Sequence, residues 1–317
     1  MTGLLTYGET MGALHQRDAG PLSIGSAIHT SIAGAEATVA IGISRLGGLA
    51  RWVGVVGDDP LGTAIVTCLR GEGVLVDGVT IDPMAPTGLL LKERRTTTSN
   101  IVRYYRTGSA GSRLGPQHVR REHIEDARLL LISGITPALS SSAAHAVDKA
   151  VELARTRDLR ICLDVNYRSQ LWAPALARPV LRRLVAAADL VFATTTEAEI
   201  VLGTSVQDPA DAAARLAKLG PASVVVKIGA QGAIALDAGE LRHIPAYGID
   251  AVDPVGAGDA FVAGTIAELL NGADFYSSID TGIRVAALAV CVPGDWEGLP
   301  RRGELALLAS GVEDIIR

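Results

Sequence analysis

The chain has 317 residues, is 48% hydrophobic and 20% charged, and carries 29 basic against 34 acidic residues, for a net charge of −5. That balance belongs to a globular protein with a sizeable core, and without a block of about five or six like charges it lacks the footprint of a nucleic-acid binder. No apolar run approaches the roughly 18 residues of a membrane span, and the first residues lack a basic stretch followed by an apolar one, so a cytoplasmic location is expected. Cys68, Cys162 and Cys291 are far apart and have no histidine partners at ligand spacing. They read as small buried apolar residues rather than a disulfide framework or a zinc site.

Residues 4–7 form the first short apolar run and read as a buried strand. Residues 13–32 follow without a helical pattern. Apolar residues at three- and four-residue spacing then predict a helix over 37–46, a strand at 52–56 and a helix over 60–70, the last entered through Asp59 as cap and Pro60 at the first helical position. Residues 87–107 alternate polar and apolar side chains, as at Leu89, Leu91, Ile101, Arg103 and Tyr105. Beyond them, 129–133, 161–164, 190–193 and 224–228 read as strands, while 141–155 and 212–219 read as helices. Residues 233–236 and 241–244 read as a hairpin, and helices run from Gly256 onward. Repeated strand–helix alternation implies βαβ units and a mainly parallel sheet covered on both faces. The two exceptional segments, 13–32 and 87–107, suit an antiparallel flap outside that sheet. One domain over residues 1–317 is expected, with the flap as its accessory piece.

The strongest chemical signal is Asp253-Pro254-Val255-Gly256-Ala257-Gly258-Asp259-Ala260-Phe261, a glycine-bearing loop that runs into an apolar helical pattern. Small residues let the backbone approach closely, and the unpaired amides of the first helical turn attract negative charge. A carboxylate there would repel a phosphate, so Asp259 makes sense as the base that takes a proton from a hydroxyl attacking that phosphate. The plain alternative is a capping aspartate on a tight loop. A second turn, Lys227-Ile228-Gly229-Ala230-Gln231-Gly232, ends a strand and offers amides for outer phosphates, or serves only to reverse the chain. Neither a P-loop nor a dinucleotide fingerprint is present.

The loop at 253–259 resembles the signature of ribokinase-type (PfkB) carbohydrate kinases. Ala33-Gly34-Ala35-Glu36-Ala37-Thr38-Val39-Ala40 with Leu46-Gly47 resembles that family's first signature, and Val56-Gly57-Asp58-Asp59-Pro60-Leu61-Gly62 its V-G-x-D-x-x-G segment. The resemblance implies a ribokinase-like three-layer α/β/α sandwich with a small β lid, ATP and Mg²⁺ as cofactors, and a monovalent cation near Asp253. Within the family, Thr87 to Glu93, Tyr104 to Ala110, Ser133 to Leu139, Asp164 to Arg168 and Gly294 to Gly298 resemble the 2-keto-3-deoxygluconate kinase branch. By that likeness Gly34, Thr38, Leu90, Tyr104, Arg106, Arg168 and Asp259 line the substrate site. Thr194, Lys227, Gly229, Ala230, Gln231, Gly232, Gly256, Ala257 and Gly258 hold the nucleotide, and Glu197 lies at the metal.

Thr38 stands where the family usually has asparagine, Leu90 where the branch often has tyrosine, and Thr194 where an N-x-x-E pattern begins. Independently of the likeness, Arg106 and Arg168 suit a sugar acid, whose carboxylate accepts charge-assisted hydrogen bonds from such a pair. Alone, each also reads as a solvated flap charge or a structural ion pair, Arg168 with Asp164. A kinase for a neutral sugar or nucleoside, and a non-catalytic sugar-binding regulator on the same scaffold, remain the alternatives. A flap with apolar strands suggests a homodimer that pairs two flaps.

Overall fold

In a computed structural model, which describes residues 2–96 and 100–308, the apolar runs become strands and the three- to four-residue patterns helices. β1 (Thr2–Tyr7) is followed by β2 (Met11–Gln16), β3 (Ile28–Ala33), α1 (Ala35–Arg45), β4 (Ala50–Val53), β5 (Val55–Gly57) and α2 (Pro60–Gly71). Next come β6 (Thr80–Asp82), β7 (Leu89–Arg94), β8 (Asn100–Tyr105), α3 (Arg121–Asp126), β9 (Ala127–Ser133), α4 (Thr136–Leu139) and α5 (Ser141–Arg155). β10 (Arg160–Asp164), α6 (Pro174–Ala187), β11 (Leu190–Thr194), α7 (Thr195–Leu202), α8 (Pro209–Ala217) and β12 (Ser223–Lys227) lead to the hairpin β13 (Ala233–Asp237) and β14 (Glu240–Ile244). α9 (Ala257–Leu270) and α10 (Phe275–Ala289) follow.

Eight strands make one sheet in the order β14-β13-β12-β11-β10-β9-β1-β4. Neighbours from β4 to β12 are parallel, and β13 and β14 add an antiparallel edge. Leu5, Leu130, Ile132, Ile161 and Leu163 enter the core shared with α5, α6 and α8, whereas Leu4, Leu129, Leu131, Cys162 and Phe192 enter the core shared with α1, α9 and α10. Sequence neighbours thus face opposite layers, as strand geometry requires, and both layers are apolar because helices cover both. This is the three-layer sandwich.

β3, β2, β7 and β8 form a separate four-stranded flap in that order. β2 pairs antiparallel with β3, and β7 with β8, but β2 and β7 run parallel, Gly12 opposite Leu89 and Leu14 opposite Leu91. The flap is therefore mixed rather than antiparallel. Both inner strands leave the sandwich from the same base, where the Gly12 amide donates to the Gly88 carbonyl at 2.9 Å. Asp59 fixes that base while capping α2, since its carboxylate accepts the Gly62 amide at 2.8 Å and the Thr87 amide at 2.7 Å. Alternation along a strand reveals its faces and not its direction.

Three other expectations are corrected. The strand expected at 52–56 splits at Gly54, whose carbonyl accepts the Thr80 amide at 3.0 Å and so turns β5 away to pair with β6. The helix expected over 212–219 lies earlier, because Asp208 caps it, accepting the Asp211 amide, and Pro209 opens it. Of the three free cysteines only Cys162 is buried, while Cys291 is exposed.

Phe192 of β11 is fully buried and meets Phe261 of α9 edge-on, ring centroids 6.0 Å apart. This contact seats the helix whose first turn carries Asp259. Phe192→Ala is expected to lower unfolding stability by about 3–5 kcal/mol in urea titration, and a loss below about 1 kcal/mol would show that the contact does not secure α9.

Candidate active site

The C-terminal ends of β10, β11 and β12 converge on the start of α9, the edge at which open α/β sheets place their ligands. α9 starts after Gly256, which holds φ 78°, a left-handed conformation costly for other residues. A Cβ there would also fall 2.2 Å from the Asp295 carbonyl oxygen, so loop 253–256 lies backbone to backbone on loop 294–295. No side chain among the described residues caps α9, which leaves the first-turn amides at Gly258 and Asp259 for a ligand.

Asp259 sits in that turn, and its Oδ1 accepts the Asn166 amide hydrogen, Nδ2 to Oδ1 3.2 Å. Asn166, missed in the sequence reading, holds a left-handed φ of 38° just past the end of β10, a strained position that asparagine tolerates better than most residues. Burial pushes the Asp259 carboxyl up, while Arg168, Lys227 and the Asn166 bond pull it back. Arg168 does not pair with Asp164. It donates to the Tyr167 carbonyl at 3.1 Å, and Asp164 belongs to Lys227, Nζ to Oδ1 2.7 Å. Burial alone would lower the Lys227 pKa, but Asp164, Glu197 and Asp259 more than offset this and raise it. Its ammonium form is therefore the one held beside the loop, and a Cβ on Gly258 would lie 3.7 Å from Nζ.

Lys227 also opens an apolar cavity of about 320 Å³, bordered by Gly229, Ala230 and Gly232, by Ala257 and Gly258, and by Tyr247, Ile283 and Val290 farther in. Its charged end meets the uncapped turn and its apolar end suits a flat heterocycle. Gly229, Ala230 and Gln231 form a tight turn in which the Gln231 and Gly232 amides donate to Ile228 and Gly229 carbonyls. Gly229 and Ala230 thus carry whatever anion binding this turn provides. Thr194 and Glu197 form a capping box at α7, with Glu197 accepting the Thr194 amide at 2.7 Å and the Tyr167 amide at 2.9 Å.

On the flap side, Gly34 precedes α1 with extended backbone, and a Cβ there would meet the Glu9 carbonyl oxygen at 2.6 Å. Thr38 is buried in α1, and Leu90 is buried in the apolar cluster inside the flap, directly opposite half-exposed Tyr104. Arg106 is held by Glu9, which takes its Nε at 2.7 Å and Nη2 at 2.6 Å and leaves Nη1 as the remaining donor edge. Its guanidinium lies 5.6 Å from the Tyr104 ring centre. Glu9 carried no signal in the sequence, since nothing local marks its partner about a hundred residues away.

The model of the pfkB family carbohydrate kinases matches residues 1–302. The chain belongs to that family. It is 37% identical over 304 residues to 2-dehydro-3-deoxygluconokinase of Thermoproteus tenax, covering 95% of this chain and 92% of the relative. It is 35% identical to the enzyme of the same name from Bacillus subtilis, covering 96% and 95%. A provisionally assigned ribokinase II of Escherichia coli, solved with ATP and Mg²⁺, superposes with a TM-score of 0.89 at 25% identity, covering 98% of this chain and 99% of that one.

This pfkB-family kinase holds two further carboxyl groups near this edge, Asp295 half-buried and Glu36 buried. Asp295, also missed in the sequence reading, is pushed up to about 7 by burial, aided by Glu297, Asp259 and Asp253 and opposed by Lys92. Glu36 is almost wholly buried, 1% exposed, and burial pushes it to about 7 as well. Its nearest partner opposes that rise. Thr136 Oγ1 lies 2.5 Å from Glu36 Oε1 and 3.1 Å from the Tyr7 carbonyl oxygen. Thr136 donates to Glu36, and this bond, together with the charge of Arg106, holds the rise down.

A carboxyl whose pKa rises from 4.5 to about 7 on folding stabilises fully below pH 4.5, and that contribution disappears as pH rises through about 7. The swing is on the order of 3 kcal/mol. Unfolding midpoints measured across this window should fall for the wild type and fall less for Glu36→Gln, which cannot ionise and whose amide oxygen can still accept from Thr136. Equal slopes for the two proteins would show that Glu36 stays ionised.

Proposed function

We propose that this carbohydrate kinase transfers the terminal phosphoryl group of ATP to the primary hydroxyl of 2-dehydro-3-deoxygluconate, giving the 6-phosphate, in the cytoplasm. The observation that carries the proposal is Asp259, half-buried at an uncapped helix start, with Lys227 and an apolar cavity on one side and Arg168 on the other. The two relatives that are 37% and 35% identical bear the name of that activity.

The nucleotide base would occupy the apolar cavity, with its outer phosphates at Gly229, Ala230 and Lys227 and the transferring group over the amides of Gly256, Ala257 and Gly258. Phosphoryl transfer needs mainly position and charge stabilisation, and both lie in this arrangement. Asp259 accepts the proton of the attacking hydroxyl. Its raised pKa makes it a stronger base than an ordinary carboxylate, and the charge of Arg168 restrains that rise.

Mg²⁺, when bound, neutralises phosphate charge. Among the described residues no three acidic, histidine or cysteine side chains gather to hold a metal by themselves. Glu197 already accepts two amides and keeps lone pairs for a metal-bound water, which suits an ion that retains its hydration. The flap covers the sugar and excludes water that would otherwise take the phosphoryl group.

A substrate carboxylate would meet Arg168 and the open Nη1 edge of Arg106, while Glu9 fixes the fork from behind. A neutral sugar has no use for that positive charge. ADP release on a panel of 2-dehydro-3-deoxygluconate, its galacto epimer, gluconate, fructose, ribose and adenosine tests both parts. Turnover should be confined to the keto-deoxy acids and should fall about 10²–10⁴-fold in Asp259→Ala with its thermal melt preserved. Arg168→Ala should raise KM for the acids. Turnover on a neutral sugar would discard the substrate, and an active Asp259→Ala would discard the base.

The edge strands of the flap and its exposed Ile28, Ile101 and Tyr105 support a homodimer that pairs two flaps. Sedimentation should give twice the chain mass for the wild type and a monomer for Ile101→Lys with Tyr105→Lys. A wild-type monomer would refute this assembly.

A further inference from the structure

One buried ion pair joins the flap to the loop that starts α9. Lys92 of β7 reaches Asp253, Nζ to Oδ2 2.6 Å, and the two side chains are 6% and 7% exposed. The same carboxylate accepts the Val255 amide at 3.2 Å on Oδ1 and the Gly294 amide at 3.3 Å on Oδ2. Val255 adjoins Gly256, and Gly294 adjoins Asp295, whose carbonyl oxygen packs on Gly256. Three separate pieces of chain therefore meet on Asp253, and one of them belongs to the flap. Negative charge is crowded here. Asp253, Asp259 and Glu297 all act on Asp295, and Lys92 is the cation opposing them.

A free monovalent cation beside Asp253 does not fit this arrangement. Both carboxylate oxygens already accept amides, and the ammonium occupies the place where such an ion would neutralise the carboxylate. We infer that Lys92 is a tethered cation for the phosphate cradle, delivered by the flap, so that the kinase needs no added potassium or sodium and its cradle is ordered only when the flap is seated. Lys92 is thus a positioning residue. It acts through Asp253 on the Val255 and Gly294 backbone and so on the first-turn amides of α9. The inference rests on phosphoryl transfer at Asp259 and is independent of which sugar is phosphorylated.

Two measurements test it. In the first, hydrogen exchange of the nucleotide-free protein compares the wild type with Lys92→Met and with Lys92→Met/Asp253→Asn, in which no charge is left buried without a partner. Exchange should rise both in flap residues 89–94 and in loop 252–258 for each variant. A change confined to the flap would overturn the coupling. This readout needs no substrate, so it stands apart from any failure of the sugar-acid assignment.

In the second, turnover of whichever sugar is phosphorylated is compared in potassium, sodium and tetramethylammonium chloride at equal ionic strength. The wild type should give the same kcat in all three. Lys92→Met should lose about 10²-fold in kcat with a smaller change in the KM for ATP, the size expected from a small misplacement of catalytic groups. Lys92→Arg should restore much of the loss. Lys92→Ala, which leaves room beside Asp253, should be activated by potassium and not by tetramethylammonium. Wild-type activation by potassium would overturn the tethered-cation role, as would an unimpaired Lys92→Met.

Discussion

The site depends on one ammonium group. Asp164, Glu197 and Asp259 gather at the C-terminal edge of the sheet, where burial pushes the Asp164 and Asp259 carboxyls up. Lys227, from the end of β12, bonds Asp164 directly and bears on the other two, so three acidic side chains and an uncapped helix start can share one small volume. The parallel sheet makes this possible. Its strands end at the same edge, and residues distant in sequence arrive there already facing a common opening. Burial of a charge is tolerated here because its partners arrive with the same backbone.

The parts of the fold legible in the sequence were those set by burial on both faces. Runs such as Leu129 to Ile132 and Leu190 to Ala193 are apolar at every position because helices lie above and below. Flap direction was not legible, since alternation reports the faces of a strand and the parallel pairing of β2 with β7 is set by a shared base far from either turn. The split at Gly54 was hidden for a similar reason: β4 and β5 are both fully buried, in different sheets, and only the Thr80 partner distinguishes them.

Within the site, glycines and the acidic residue of the Asp253 to Asp259 loop stood out because their spacing is local. Asn166, Asp295 and Glu9 did not, because each gains its meaning from a partner on another element: Asp259 for Asn166, Gly256 for Asp295, Arg106 for Glu9. Glu197 illustrates the opposite error of emphasis. Its spacing to Thr194 is that of a capping box, and the structure realises the cap, so a ligand role for it is additional to a structural one.

The inner face of the flap is tied to the sandwich chiefly by charge. Arg106 meets Glu9, Lys92 meets Asp253, and Ser31 donates to Glu297, whereas Met11, Ala13, Ala33 and Leu90 form a small separate apolar cluster and Ile32 joins the sandwich core. A lid sealed by apolar packing would be slow to open, because opening would expose that surface to water. Polar ties can exchange partners with water or with an anionic substrate at little net change in free energy. The flap therefore combines a largely separate apolar interior, which keeps its four strands together as a unit, with a mainly polar seam that lets the unit move. That division explains why Arg106 and Lys92, on the side of the flap that faces the sandwich, are each held by a carboxylate.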